Sequence, residues 1–146
     1  MTRLTGPQLF LCYAFPCAEE KRDAQKITRG DFRALKLLIE SGREPGISFL
    51  ERCFPNATRE MNQFWLGTYD ACALWSPHLV GTFWHQHQGS GGDCAATKAM
   101  VYEVNGNAVS VMVDSKMFPA INLYGLDLQI GDMVYLHRRV VIEEAE

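Results

Sequence analysis

The fold of this protein is decided by a strand-rich stretch, Asp93–Ile142, which runs DCAATKAMVYEVNGNAVSVMVDSKMFPAINLYGLDLQIGDMVYLHRRVVI. Three segments of it, Met100–Val104, Ala108–Val113 and Met133–His137, alternate with period two and are rich in Val, Ile and Tyr, a pattern that favours half-buried strands over helices. The predicted strands are Met100–Val104, Ala108–Val113, Ala120–Leu123 and Met133–His137.

Two sequence motifs predict turns next to these strands. Asn105-Gly106-Asn107 separates the first two strands, and Asn-Gly supplies the positive φ angles that a tight hairpin requires. Gly131-Asp132 lies directly before the strand that ends at His137. Four or five short strands within about fifty residues predict a small closed or nearly closed barrel, because closure removes exposed strand edges.

Two segments of this stretch resemble the HypC/HupF family of NiFe-hydrogenase maturation chaperones. The first begins at Cys94 and continues as a short apolar run, a strand, the glycine turn and a second strand. The second is the Gly131-Asp132 pair followed by the strand that ends in His137. The resemblance covers roughly residues 93–142, about a third of the chain.

The resemblance implies a HypC-like, OB-like β-barrel that binds or passes on an iron centre. That iron carries cyanide and carbon monoxide and is inserted into the hydrogenase large subunit. By resemblance, Cys94 is the iron ligand and His137 its neighbour. The implied partners are the hydrogenase large subunit or another maturation protein of the HypD type, and the implied role is that of an assembly factor and not an enzyme.

Differences from the family motivate a second hypothesis. Cys94 is internal in this chain, Lys98 stands where the family commonly has proline, and Arg138-Arg139 stand where it has a glycine. These differences suit a non-catalytic accessory subunit or protein-interaction module of a hydrogenase-type complex, which has kept the barrel and carries no iron.

A third hypothesis is a metalloenzyme site. His85 and His87 are two residues apart, so on a strand they would share a face and could bind a metal together with Cys94. The sequence contains no Gly-rich phosphate loop, no Ser/His/Asp order and no paired-carboxylate motif, which favours a protein that is not a hydrolase or kinase.

The first half of the chain carries helical patterns, so the predicted fold class is α+β. We predict a helical domain at residues 1–85, a Gly-rich linker at 86–92 and the barrel domain at 93–146. One helix is predicted to end before Pro16, a second to run from an Asp31 cap to Gly42, and the longest to start at Asn56 or Thr58. Cys17–Arg29 is predicted to be a surface connection.

Composition narrows the class of partner and the compartment. The formal net charge of −3 argues against a nucleic-acid binder that neutralises phosphates. We expect a cytoplasmic protein with no membrane span, because neither a signal peptide nor a sufficiently long apolar run is visible. Five cysteines without such a signal favour free thiols. Four of them are predicted to pack in the core: Cys12, Cys17, Cys53 and Cys72.

Overall fold

The computed structural model describes residues 4–86 and 96–145. The chain divides into two compact units, Met1–Trp84 and His85–Glu146. The described part of the first unit is helical, and the second unit contains a closed five-stranded barrel. The predicted α+β class, with helices in the N-terminal half and a small barrel in the C-terminal half, is confirmed. Apart from Gln86, the predicted linker lies outside the described residues.

Six α-helices occur in the described ranges. They are α1 (Gly6–Ala14), α2 (Ala18–Asp23), α3 (Arg29–Ser41), α4 (Ile47–Cys53), α5 (Pro55–Phe64) and α6 (Pro77–Gln86). Short 3-10 helices span Phe15–Cys17 and Ala73–Trp75. None of these helices has the length and apolar content that crossing a bilayer requires.

Local signals account for several helix ends. Thr5 and Gln8 form a reciprocal capping box at the start of α1, which ends before Pro16 as predicted. Gly42 adopts the left-handed conformation at the end of α3, with φ of +67°, which confirms the predicted glycine stop. The cap at the start of α3 is Thr28, because its hydroxyl accepts the N–H of Asp31, so the prediction of Asp31 as the cap was wrong.

Other helix predictions need correction. The segment predicted as a surface connection contains α2, and α5 begins at Pro55, where the missing proline N–H has no helical partner to lose. α5 has 10 residues and is shorter than α3, which has 13. The helix α6 was not predicted; it also begins at a proline, Pro77.

Aromatic packing dominates the core of the helical unit. Phe10 and Tyr13 of α1 are fully buried, and both contact Trp84 at ring-centroid distances of 5.4 Å. Such ring pairs contribute about 0.5–1.5 kcal/mol each beyond their area burial. The first turn of α1 approaches the backbone of Trp75 so closely that only glycine fits at position 6.

The barrel contains five strands: β1 (Thr97–Asn105), β2 (Ala108–Val113), β3 (Lys116–Ile121), β4 (Met133–His137) and β5 (Val140–Glu144). Their order around the barrel is β1-β2-β3-β5-β4. All neighbours are antiparallel except β3 and β5, which meet in a short parallel pair at Ile121 and Val140. That pair closes the sheet.

The predicted hairpin between β1 and β2 is confirmed, with Gly106 at φ +64°. β3 begins four residues before the predicted Ala120 and ends at Ile121, and β5 was missed. Both errors have the same cause. The turns beside these strands are Asp114-Ser115 and Arg138-Arg139, which have positive φ without glycine and therefore lack the usual sequence signal.

Alternation along the strands builds the barrel core. Val101, Val111, Val134 and Val141 are fully buried in one apolar cluster. Residues directly opposite each other on neighbouring strands share a face of the sheet. Because side chains alternate along each strand, the residues before and after a core residue point to the outer surface.

Candidate functional site

The strand that follows Cys94 in the sequence, β1, and the strand that ends in His137, β4, are hydrogen-bonded neighbours. β1 pairs with β4 in antiparallel register, with Thr97 opposite Leu136. The Gly131 N–H donates to the carbonyl of Val101, and the Val101 N–H donates to the carbonyl of Asp132, both at 2.8 Å. The start of β1 is therefore placed beside the end of β4.

The Gly131-Asp132 pair forms the turn that leads into β4. Gly131 has φ of +96°, a conformation that side-chain-bearing residues rarely adopt. The Asp132 carboxylate accepts the N–H of Gln129 at 2.9 Å, and the Asp132 N–H donates to the carbonyl of Gln129 at 3.1 Å. These bonds explain why glycine followed by aspartate suits this position.

His137 is the last residue of β4 and is only 1% exposed. It pairs with Val140 across the two-residue turn formed by Arg138 and Arg139. Leu136 belongs to the barrel core, so alternation places His137 on the opposite face of the strand, together with Tyr135. The predicted site residue is thus a buried imidazole on the outer face of the barrel.

A second histidine, His85, belongs to the same compact unit as His137. The ring of His85, the first residue of the second unit, stacks on Tyr135 with centroids 3.7 Å apart and planes 13° apart. Its Nε2 is 3.1 Å from the Glu143 carboxylate. His85 is in the last turn of α6, not on a strand as the metalloenzyme hypothesis assumed.

An irregularity in strand pairing brings Glu143 to this position. Leu136 pairs with Val141, but Tyr135 pairs with Glu143, so Ile142 is an extra residue in β5. Such a bulge redirects the next side chain to the other face of the strand. Tyr135 and Glu143 were not singled out in the sequence, because a bulge of this kind has no local signature.

Tyr135 and Glu143 together can orient the imidazole of His85. A carboxylate bonded to one ring nitrogen fixes the tautomer and directs the other nitrogen outward, as in the supporting shell of metal-bound histidines. The described residues nevertheless contain no group of three or more His, Cys, Asp or Glu placed to hold a metal ion.

Two predicted site residues, Cys94 and His87, lie outside the described residues. Of the other cysteines, Cys12 and Cys53 are buried as predicted, Cys17 is partly buried, and Cys72 is exposed, so the prediction of core packing was wrong for Cys72. Burial raises the pKa of the Cys53 thiol from 9.0 to about 11, with a further contribution from Asp31. At neutral pH it is therefore protonated, the form that is a poor metal ligand and nucleophile.

Comparison with known proteins adds no family assignment. The sequence matches none of the protein-family models, and none of the curated proteins matches it.

Proposed function

We propose that this protein is a HypC/HupF-type assembly factor for NiFe-hydrogenase, in which Cys94 and His137 hold an iron that carries cyanide and carbon monoxide. One observation carries the proposal. The strand that follows Cys94 and the strand that ends in His137 are antiparallel neighbours, so the start of β1 lies beside the end of β4 in one closed barrel.

The position of Cys94 in the sequence suits a role shared with His137. Cys94 is three residues before Thr97. Thr97 is opposite Leu136, and His137 is the next residue along β4. We therefore propose that the thiolate of Cys94 and the imidazole of His137 bind or contact the same iron.

The chemistry of the cargo suits a small number of protein ligands. A structural zinc takes four protein ligands, whereas an iron that already bears cyanide and carbon monoxide requires fewer. Thiolate is a soft ligand, and a cation beside it favours the thiolate form; the exposed Lys98 is four residues after Cys94 in the sequence. The imidazole of His137 would hold the diatomic ligands or the thiolate in place.

The test is infrared spectroscopy of protein purified without oxygen from a host that expresses the hydrogenase maturation genes. Cyanide and carbon monoxide on iron absorb where polypeptides do not. We expect these bands in the wild type and their loss in Cys94→Ser. Cys72→Ser is the matched control, because it removes an exposed thiol from the helical unit, and should retain them. Bands of equal intensity in both variants would exclude Cys94 as the ligand.

A second candidate function is an accessory or interaction module without iron. A row of four methionines across the outer face of the barrel favours it. Met133 of β4 pairs with Met100 of β1, Met100 with Met112 of β2, and Met112 with Met117 of β3. Residues paired in this way share a face, and the adjacent Val101, Val111 and Val134 fill the core.

The row presents a soft apolar surface. Met117 is 48% exposed and Met133 is 37% exposed, while Met100 and Met112 are partly buried. Methionine is flexible and polarisable, so rows of this kind adapt to the surface of a protein partner. Ile121 and Tyr102, on the strands of the same barrel, are also exposed. The partner that fits the sequence resemblance is a hydrogenase subunit.

Co-purification with a tagged hydrogenase large subunit tests this candidate. Met117→Glu combined with Met133→Glu should abolish co-purification, because it places two charges in an apolar contact. Met117→Leu combined with Met133→Leu keeps volume and apolar character and should retain it. Equal recovery of both double variants would contradict docking through the row. Infrared bands that disappear in Cys94→Ser would assign the iron-carrying role instead.

A further inference from the structure

The helical unit contains an open cleft of about 1030 Å³ between the end of α2, the first turns of α3 and the side chain of Arg52 on α4. Its lining is rich in positive charge. Six lining residues are basic: Arg22, Lys26, Arg29, Arg33, Lys36 and Arg52. Only Asp23 and Asp31 are acidic, which leaves an excess of four positive charges in a chain whose formal net charge is −3.

Ion pairs account for two of the six cations. Arg52 donates to the Asp31 carboxylate at 2.9 Å. Arg22 is 3.2 Å from the Asp23 carboxylate and lies over the ring of Phe32, 4.4 Å from its centroid. Both arginines are therefore engaged within the protein.

The other four cations are not paired in the described part of the chain. Lys26, Arg29, Arg33 and Lys36 are exposed, and none of them forms an ion pair or a side-chain hydrogen bond with a described residue. Three of them recur along α3 at spacings of four and three residues, so they share one face of the helix. That face borders the cleft.

This arrangement is unfavourable for the helix by itself. The N-terminus of a helix carries partial positive charge, so a cation there is repelled, and Arg29 is the first residue of α3. Arg29 and Arg33 are also like charges four residues apart, which destabilises a helix. An anion in the cleft would reverse both effects, because helix N-termini favour negative charge.

The dimensions and lining restrict the class of anion. Arg29 and Lys36 are separated by seven residues, which is about 10 Å along the axis at 1.5 Å per residue. A single phosphate is too small to meet cations spread over that length. The one aromatic residue in the lining, Phe32, already stacks on Phe15 and is covered by Arg22, so it offers little surface for a nucleobase.

We propose that this cleft binds a soluble oligophosphate, with Lys26, Arg29, Arg33 and Lys36 as its ligands. The site is independent of Cys94 and His137, and its residues belong wholly to the helical unit. The protein recognises the chain of phosphate groups in this ligand and makes no contact with a nucleobase.

Calorimetric titration of the full-length protein with tripolyphosphate tests the proposal. The wild type should bind tripolyphosphate more tightly than inorganic phosphate, with an affinity that falls as salt is added. Arg29→Gln combined with Arg33→Gln should weaken tripolyphosphate binding at least tenfold. Arg43→Gln combined with Arg59→Gln changes the net charge equally at exposed positions outside the cleft and should leave binding within twofold.

Stability measurements separate loss of the site from loss of the fold. Removing repelled cations from the start of α3 should leave the thermal midpoint of Arg29→Gln with Arg33→Gln unchanged or higher. Equal weakening in the two double variants, or absence of tripolyphosphate binding by the wild type, would overturn the proposal. So would stronger binding to single-stranded oligonucleotides or to vesicles of acidic lipid than to tripolyphosphate.

Discussion

Replacing Gly6 by alanine should destabilise the helical unit, although alanine is the better helix former. Gly6 is the first residue of α1, and a Cβ built on it would overlap the backbone carbonyl of Trp75. The obstructing atoms belong to the main chain and cannot rotate away. Either the start of α1 or the 3-10 helix Ala73–Trp75 must therefore move.

The expected loss follows from two opposing effects. Overpacking of a tight contact costs about 1–3 kcal/mol, and a backbone obstruction places this case at the upper end. Alanine recovers about 0.5–1 kcal/mol relative to glycine through helix propensity and a more restricted unfolded chain. The net loss should be about 2 kcal/mol, which corresponds to a urea midpoint lower by about 1–2 M at a slope of about 1–2 kcal/mol per molar.

Urea unfolding followed by tryptophan fluorescence measures this loss selectively. All three tryptophans, at positions 65, 75 and 84, belong to the helical unit, so the signal reports on that unit. Gly30→Ala in α3 is the matched control, since its nearest neighbour would be the Thr28 hydroxyl at 3.7 Å. It should raise stability by about 0.5–1 kcal/mol. Changes of the same sign in the two variants would refute the steric argument.

Three further predictions concern stability. Burial raises the pKa of Cys53 from 9.0 to about 11, so the contribution of the protonated thiol to stability is complete below pH 9 and is lost as the pH rises towards 11. The unfolding free energy of Cys53→Ala should therefore fall less than that of the wild type over this pH range. An identical fall in the two proteins would exclude the thiol as the cause. Replacing Arg138 and Arg139, at φ +52° and +63°, by Asn and Gly should stabilise the barrel by about 1 kcal/mol, measured by thermal unfolding followed by circular dichroism, and a lower midpoint would contradict the strain argument. Asn122→Leu should cost about 2–3 kcal/mol, because Asn122 donates to the carbonyl of Leu126 and accepts its N–H; unchanged hydrogen exchange in the barrel strands would count against this.

The helical and strand-rich halves were predictable because their signals are local. Alternation of apolar residues along β1, β2 and β4 reflects the two faces of each strand, whatever its partners. Gly106 and Gly42 mark a turn and a helix end because few other residues adopt positive φ at low cost. Signals of this kind lie within a few residues of the feature that they specify.

Turns without glycine explain why β3 was placed wrongly and β5 was not predicted. Asp114-Ser115 and Arg138-Arg139 adopt left-handed conformations that their residue types disfavour. The pairing of the flanking strands compensates for that cost, and the pairing depends on the whole barrel. For the same reason β5, which closes the sheet against β3, was not predicted.

Side chains distant in sequence were brought together by register and packing alone. The methionine row depends on the registers of three strand pairs, β4 with β1, β1 with β2 and β2 with β3. Glu143 contacts His85 only because Ile142 forms a bulge in β5. The formal charge of −3 suggests no anion site, because a sum over the chain loses the positions of its charges. Local periodicity and turn chemistry thus specify which elements form. The strand registers, the bulge and the basic cleft depend on contacts between residues far apart in the chain, which only the tertiary structure establishes.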